Sequence, residues 1–203
     1  MKKNKICFFI FYTIVTLIFF GILYKMEYAT DTYSVFNFNG QQVYAQFAMS
    51  GRFITATVGK FIKTINVSEG AMYIGSYILS IICASFSQYQ LYKIVKRDVK
   101  STLLKFLIPT IIIINPFSIE LFLFIEKGIM WFGILMCILA LENVIKFFEA
   151  NTQEKEKQIK YIHYKYAIYA LILMFIANCS YQGIVRTICC NCSSVYFKIF
   201  QNN

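Results

Sequence analysis

The chain has 203 residues, of which 58% are hydrophobic and 15% charged, and a formal net charge of +10. Its mean hydropathy is positive. These values exclude an ordinary water-soluble domain of this length. They also argue against nucleic-acid binding, which needs a basic face on a soluble module.

Crossing a bilayer takes about 20 apolar residues at roughly 1.5 Å each. The first candidate, residues 6–24, follows Met1-Lys2-Lys3-Asn4-Lys5. Its apolar run is too long for the core of a signal peptide, and no small-x-small cleavage site follows, so it reads as a retained helix. Further apolar stretches cover residues 71–92, 106–125, 128–148 and 166–183. The third is broken at Asn115-Pro116, because proline lacks an N–H and restricts its predecessor. Pro109 is expected to kink the same helix. The fold class is therefore all-α: a polytopic membrane bundle of about five spans joined by an outer loop over 25–69.

The basic residues orient this bundle. With a cytoplasmic N-terminus, the inner segments carry Lys2, Lys3, Lys5, Lys93, Lys96, Arg97, Lys100, Lys105, Lys146, Lys155, Lys157, Lys160 and Lys165. The outer segments hold only Lys25, Arg52, Lys60, Lys63 and Lys127, although the first outer loop is the longest loop. The positive-inside rule favours that orientation, and it accounts for the net charge. Asp31, Arg52, Asn115, Glu120, Glu126, Tyr181 and Gln182 then all fall at or near the outer surface. A carboxylate at the bilayer centre costs about 3 kcal/mol on insertion scales, so Glu120 and Glu126 belong at the interface or in a wet cavity.

The outer loop has its own pattern. Apolar residues recur at Val43, Phe47, Ile54, Val58, Phe61, Ile62 and Ile65, near the helical period, with Arg52, Lys60 and Lys63 on the other side. That pattern predicts an amphipathic helix in the interface, where basic side chains meet lipid phosphates, or one packed on the bundle with its lysines in water. Gly40, Gly51 and Gly59 are expected to divide it.

Other constellations are missing. His163 is the single histidine and lies in a cytoplasmic connector, which leaves no histidine triad or zinc centre. Cys7, Cys83, Cys137 and Cys179 are spread through apolar spans as packing residues, and Cys189, Cys190 and Cys192 crowd together without a second ligand cluster. No metal site is expected from these groups. No glycine-rich phosphate loop occurs, which disfavours a soluble nucleotide donor.

Four short motifs come in order: Thr30-Asp31-Thr32-Tyr33, Ser50-Gly51-Arg52-Phe53, Asn115-Pro116-Phe117 with Glu120 and Glu126, and Ser180-Tyr181-Gln182-Gly183. In that order and on that side of the membrane, residues 5–186 resemble the N-terminal part of the bacterial and phage serotype-converting glucosyltransferases of the type II kind, polytopic enzymes of GT-C architecture. The resemblance implies transfer of a sugar, glucose above all, from a polyprenyl-phosphate donor to a cell-envelope polysaccharide, in a multi-pass protein of the bacterial cell membrane. It implies a carboxylate, Asp31, Glu120 or Glu126, as catalytic base or ligand of a divalent cation. Arg52, Lys60 and Lys63 would contact the donor phosphate, and Tyr181 and Gln182 the sugar or acceptor. Such enzymes often carry paired acidic residues in the first loop, whereas here Asp31 stands alone with Glu27 nearest.

The alternative is a non-catalytic membrane transporter or flippase component, which matched discontinuous spans would favour. Residues 1–186 read as part of a transmembrane transferase domain. Residues 187–203 change character and suggest a frameshifted or truncated tail, so that this chain alone is expected to be inactive.

Overall fold

The computed structural model describes residues 2–21, 35–153 and 160–181. Asp31, Gln182 and the tail 187–203 lie outside the described residues. The elements are α1 (Lys2–Phe20), α2 (Gly40–Met49), α3 (Phe53–Thr64), α4 (Glu69–Asp98), α5 (Thr102–Ile113), α6 (Pro116–Leu123), α7 (Lys127–Gln153) and α8 (Lys160–Ser180). Among the described residues there is no strand. The fold is all-helical.

Among the described residues, two helices are long and apolar enough to cross a membrane: Glu69–Asp98 and Lys127–Glu149. The apolar parts of α1, α5 and α8 are shorter, at Ile6–Phe20, Thr102–Ile113 and Tyr164–Ser180. The expected third span is two helices. Asn115 ends one and begins the other, since its side chain accepts from the Ser118 amide and Pro116 follows at the first helical position. Pro109 sits inside α5.

Contacts give the direction of each helix. Phe8 meets Tyr92 while Phe20 lies near the Tyr77 end, where the Tyr77 hydroxyl donates to the Phe20 carbonyl. Hence α1 and α4 are antiparallel. Ser76 pairs with Gly128, Lys93 with Glu142 and Arg97 with Glu149, so α4 and α7 are parallel, with α5 and α6 as the crossover. The close approach of Gly133 to Ser180 and the packing of Cys137 on Ala177 belong to α7 and α8. In chain order, α1, α4, α5, α7 and α8 alternate in direction.

The main core runs along α4 and α7 and collects Ile81, Ala84, Leu91, Ile134 and Ile138, with Phe20 stacked on Phe122 at 4.2 Å. Inside it, Gln88 on α4 donates to Thr16 on α1 at 2.6 Å. At one end, Glu142 on α7 accepts from Lys146 at 2.9 Å and Lys93 at 3.3 Å, and Arg97 pairs with Glu149 at 2.7 Å. The outer faces stay apolar: Leu171 and Phe175 on α8 are each 70% exposed. Contiguous apolar surface of that kind marks a membrane or partner interface.

Two expectations for the first loop are corrected. Gly51 does divide the amphipathic stretch, but Gly59 lies inside α3, not at a break. A Cβ there would come 2.7 Å from Val43 Cγ1, so its role is to let α2 and α3 approach. The apolar stripe also splits. Val43 and Phe47 are buried, while Phe61 and Ile65 are exposed, because the face of α3 turned inward centres on Thr55 and Ala56.

Candidate functional site

The end opposite the Glu142 ion pairs gathers parts of four helices. Its first component is the α2–α3 junction. The Arg52 amide donates to the Phe47 carbonyl at 3.0 Å and the Gly51 amide to Ala48 at 2.9 Å. Gly51 has φ 74°. This is a Schellman stop, in which glycine takes the left-handed conformation that a side chain would strain. The Ser-Gly-Arg sequence therefore ends α2 and delivers Arg52 at the head of α3.

One turn on, buried Thr55 donates to the Ser180 carbonyl at 2.9 Å and ties α3 to the end of α8. That contact brings Tyr181 beneath Arg52, whose guanidinium carbon lies 4.6 Å from the ring centre. Glu126 arrives from the third side. Its carbonyl accepts from Ile129 and Met130 at the start of α7, and its carboxylate oxygen stands 3.5 Å from an Arg52 nitrogen. The Glu126 side chain is 9% exposed and that of Arg52 27%.

The neighbours of Glu126 hold it in place. Lys127 is fully buried, donates to the Phe122 carbonyl at 2.7 Å, and sets its ammonium 3.7 Å from the Tyr73 ring centre. It thereby satisfies a carbonyl at the end of α6, which the helix leaves without an internal partner. Gly128 donates to Ser76 Oγ at 2.9 Å, and a Cβ on it would sit 2.8 Å from the Ser76 carbonyl. The turn from α6 into α7 is thus clamped to α4 on both sides of Glu126.

Below the cluster opens an apolar groove of about 250 Å³. Val43, Phe47, Val58, Met72, Leu79 and Ile129 line it, together with Glu126 and Lys63. Small-molecule pockets usually run to about 300–1,000 Å³, so this groove is smaller than a usual ligand pocket.

The residues expected at a site divide accordingly. Arg52, Glu126 and Tyr181 come together. Lys63 faces the groove and donates to the Phe36 carbonyl at 2.8 Å. The Lys60 ammonium lies 5.5 Å from the Tyr44 ring centre. Both lysines are half-buried. Glu120 is exposed on α6. Asp31 and Gln182 lie outside the described residues. Among the described residues no three His, Cys, Asp or Glu side chains gather into a metal-binding group. Sequence reasoning missed Lys127, which it counted only as an outer-loop charge; its place directly after Glu126 and before a glycine was the available signal.

No family model, curated protein or solved structure matches this chain.

Proposed function

We propose that this is a multi-pass protein of the bacterial cell membrane, with five spans and a cytoplasmic N-terminus, and that it belongs to the polyprenyl-phosphate-sugar glycosyltransferases. The observation that carries this reading is the Arg52–Glu126–Tyr181 cluster, whose Glu126 also lines an apolar groove. A single isoprenoid chain matches the groove's apolar lining, and its phosphate meets Lys63 on that lining and Arg52, the partner of the lining residue Glu126.

The five-span reading draws support from helix direction and surface. The apolar stretch of α8, Tyr164–Ser180, extends about 26 Å at the usual rise, close to a hydrocarbon core. The α5 segment is shorter and needs α6 to complete the crossing. The lysine-rich ends fall on the side that the positive-inside rule assigns to the cytoplasm, and the Arg52 cluster on the other.

In the reaction, the acceptor hydroxyl oxygen forms a bond to the sugar's anomeric carbon as the bond from that carbon to the donor phosphate oxygen breaks. A carboxylate takes the hydroxyl proton: Glu126 is the candidate within the cluster, and Asp31 and Glu120 are the alternatives that the sequence offers. Arg52, whose guanidinium carbon lies over the Tyr181 ring, balances the charge of the departing polyprenyl phosphate with a planar pair of donors. Radiolabelled glucose transfer from a defined polyprenyl-phosphate glucose, in membranes carrying the full gene product, tests the assignment. Label is expected in cell-envelope polysaccharide and is expected to fall with Arg52→Ala. Equal incorporation with and without the protein would overturn it.

A further inference from the structure

The hairpin of α2 and α3 has two unlike surfaces. On α2 the exposed residues include Gln41, Gln42 and Gln46, whereas Phe53, Phe61 and Ile65, on α3 and at its end, are each more than half exposed. Exposed Thr57 and Thr64 share that face of α3, by helical spacing. Their hydroxyls donate to the Phe53 and Lys60 carbonyls at 2.8 Å, which satisfies them within the helix. The result is one apolar stripe along α3, joined at the turn by Met49, 88% exposed.

We infer that α3 lies in the outer interface of the bilayer, with the stripe from Phe53 to Ile65 among lipid chains and α2 above it in water. The inference rests on the membrane-spanning reading of the bundle. Level, charge and composition select lipid as the occupant. Thr55 on α3 is bonded to the Ser180 carbonyl, and Ser180 closes the apolar stretch of α8. That bond sets α3 where hydrocarbon gives way to headgroups. Residues 35–68 hold Arg52, Lys60 and Lys63 and no Asp or Glu, a balance that suits lipid phosphates. Lys60 borders the stripe with its ammonium 5.5 Å from the Tyr44 ring centre, and both side chains join an apolar body to a polar tip, as this depth favours. The exposed glutamines of α2 suit the water side. Val58, Gly59, Ile62 and Lys63 of α3 line the groove, so one helix borders the leaflet on one face and the groove on another. That placement lets a lipid chain reach the groove from the side without crossing water.

Tryptophan fluorescence of the whole chain in phosphatidylcholine vesicles tests this, with the acyl chains brominated either near the headgroup or near the methyl end. Trp131 is the one tryptophan and is buried, so the unaltered protein supplies the background to subtract. An interfacial helix sinks its apolar face about 5–10 Å into the boundary between headgroups and chains. Phe61→Trp is therefore expected to lose emission in both brominated lipids, and more in the shallow one. Phe53→Trp is expected to do the same, which keeps the test intact if one variant folds poorly. Gln41→Trp on α2 is expected to keep its emission in both. Phe175→Trp, on the exposed apolar face of α8, reports the spanning reading separately through quenching in either lipid. If Phe175→Trp is quenched but neither α3 variant is, protein covers the stripe, and the interfacial placement is overturned while the spanning reading stands. If Phe175→Trp keeps its emission, the spanning reading falls and takes the placement with it. Quenching of Gln41→Trp as strong as that of Phe61→Trp would refute the layering of α2 over α3.

Discussion

Lys127 holds its ammonium 3.7 Å from the centre of the Tyr73 ring while donating to the Phe122 carbonyl at 2.7 Å, with no surface left exposed. A buried ammonium is costly unless its donors are used, and here an aromatic face and a helix-end carbonyl use them. Lys127→Ala removes both contacts and leaves a void, so a loss of about 2–4 kcal/mol is expected. Tyr73→Leu keeps the bulk and loses the ring face, for about 1–2 kcal/mol. Thermal unfolding in detergent checks both. A melting temperature unchanged in Lys127→Ala would show that the turn into α7 does not depend on this lysine.

The glycines make a graded series. At Gly128 an added Cβ would meet the Ser76 backbone carbonyl at 2.8 Å, and backbone cannot swing aside. Gly128→Ala is expected to destabilise by about 1–3 kcal/mol. At Gly59 the obstacle is Val43 Cγ1, so Gly59→Ala should destabilise alone and be partly rescued by Val43→Ala. At Gly75, inside α4, nothing lies within 4 Å, and Gly75→Ala is expected to gain up to about 1 kcal/mol from helix propensity. Melting temperatures in that order, with non-additivity at 59 and 43, are the check.

Thr16 and Gln88 join α1 to α4 through a buried 2.6 Å hydrogen bond. Side-chain bonds between helices in membranes average about 0.6 kcal/mol of coupling. A double-mutant cycle on Thr16→Val and Gln88→Leu is expected to return coupling of that order. Strictly additive effects would show that this hydrogen bond does not help to hold α1 on α4.

Orientation is open to a labelling test. Gln41 is exposed beside the Arg52 end, and Ser101 is exposed at the other end and makes no side-chain cap bond. Above the background of native cysteines, a membrane-impermeant thiol reagent is expected to label Gln41→Cys in intact cells but not Ser101→Cys. The reverse pattern would put the cluster on the cytoplasmic side and remove its access to an outer-face acceptor.

Much was legible from the residues alone. Composition and the lengths of apolar runs determined an all-helical chain with helices of membrane-crossing length, since both depend on local chemistry. The break at Asn115-Pro116 and the stop at Gly51 were readable for the same reason: a missing N–H and a left-handed backbone act within a few residues. Arg52, Glu126 and Tyr181 could each be named as polar groups on one side, but their meeting depends on Thr55 reaching Ser180 and on Gly128 settling against Ser76. Those contacts join positions far apart in the chain, and no periodicity reports them. Tertiary packing likewise decided that Gly59 lets two helices touch, that Phe61 and Ile65 face outward, and that Lys127 is buried under an aromatic ring. A side chain's partner is set by which backbone lies opposite, and that is fixed only when the helices pack.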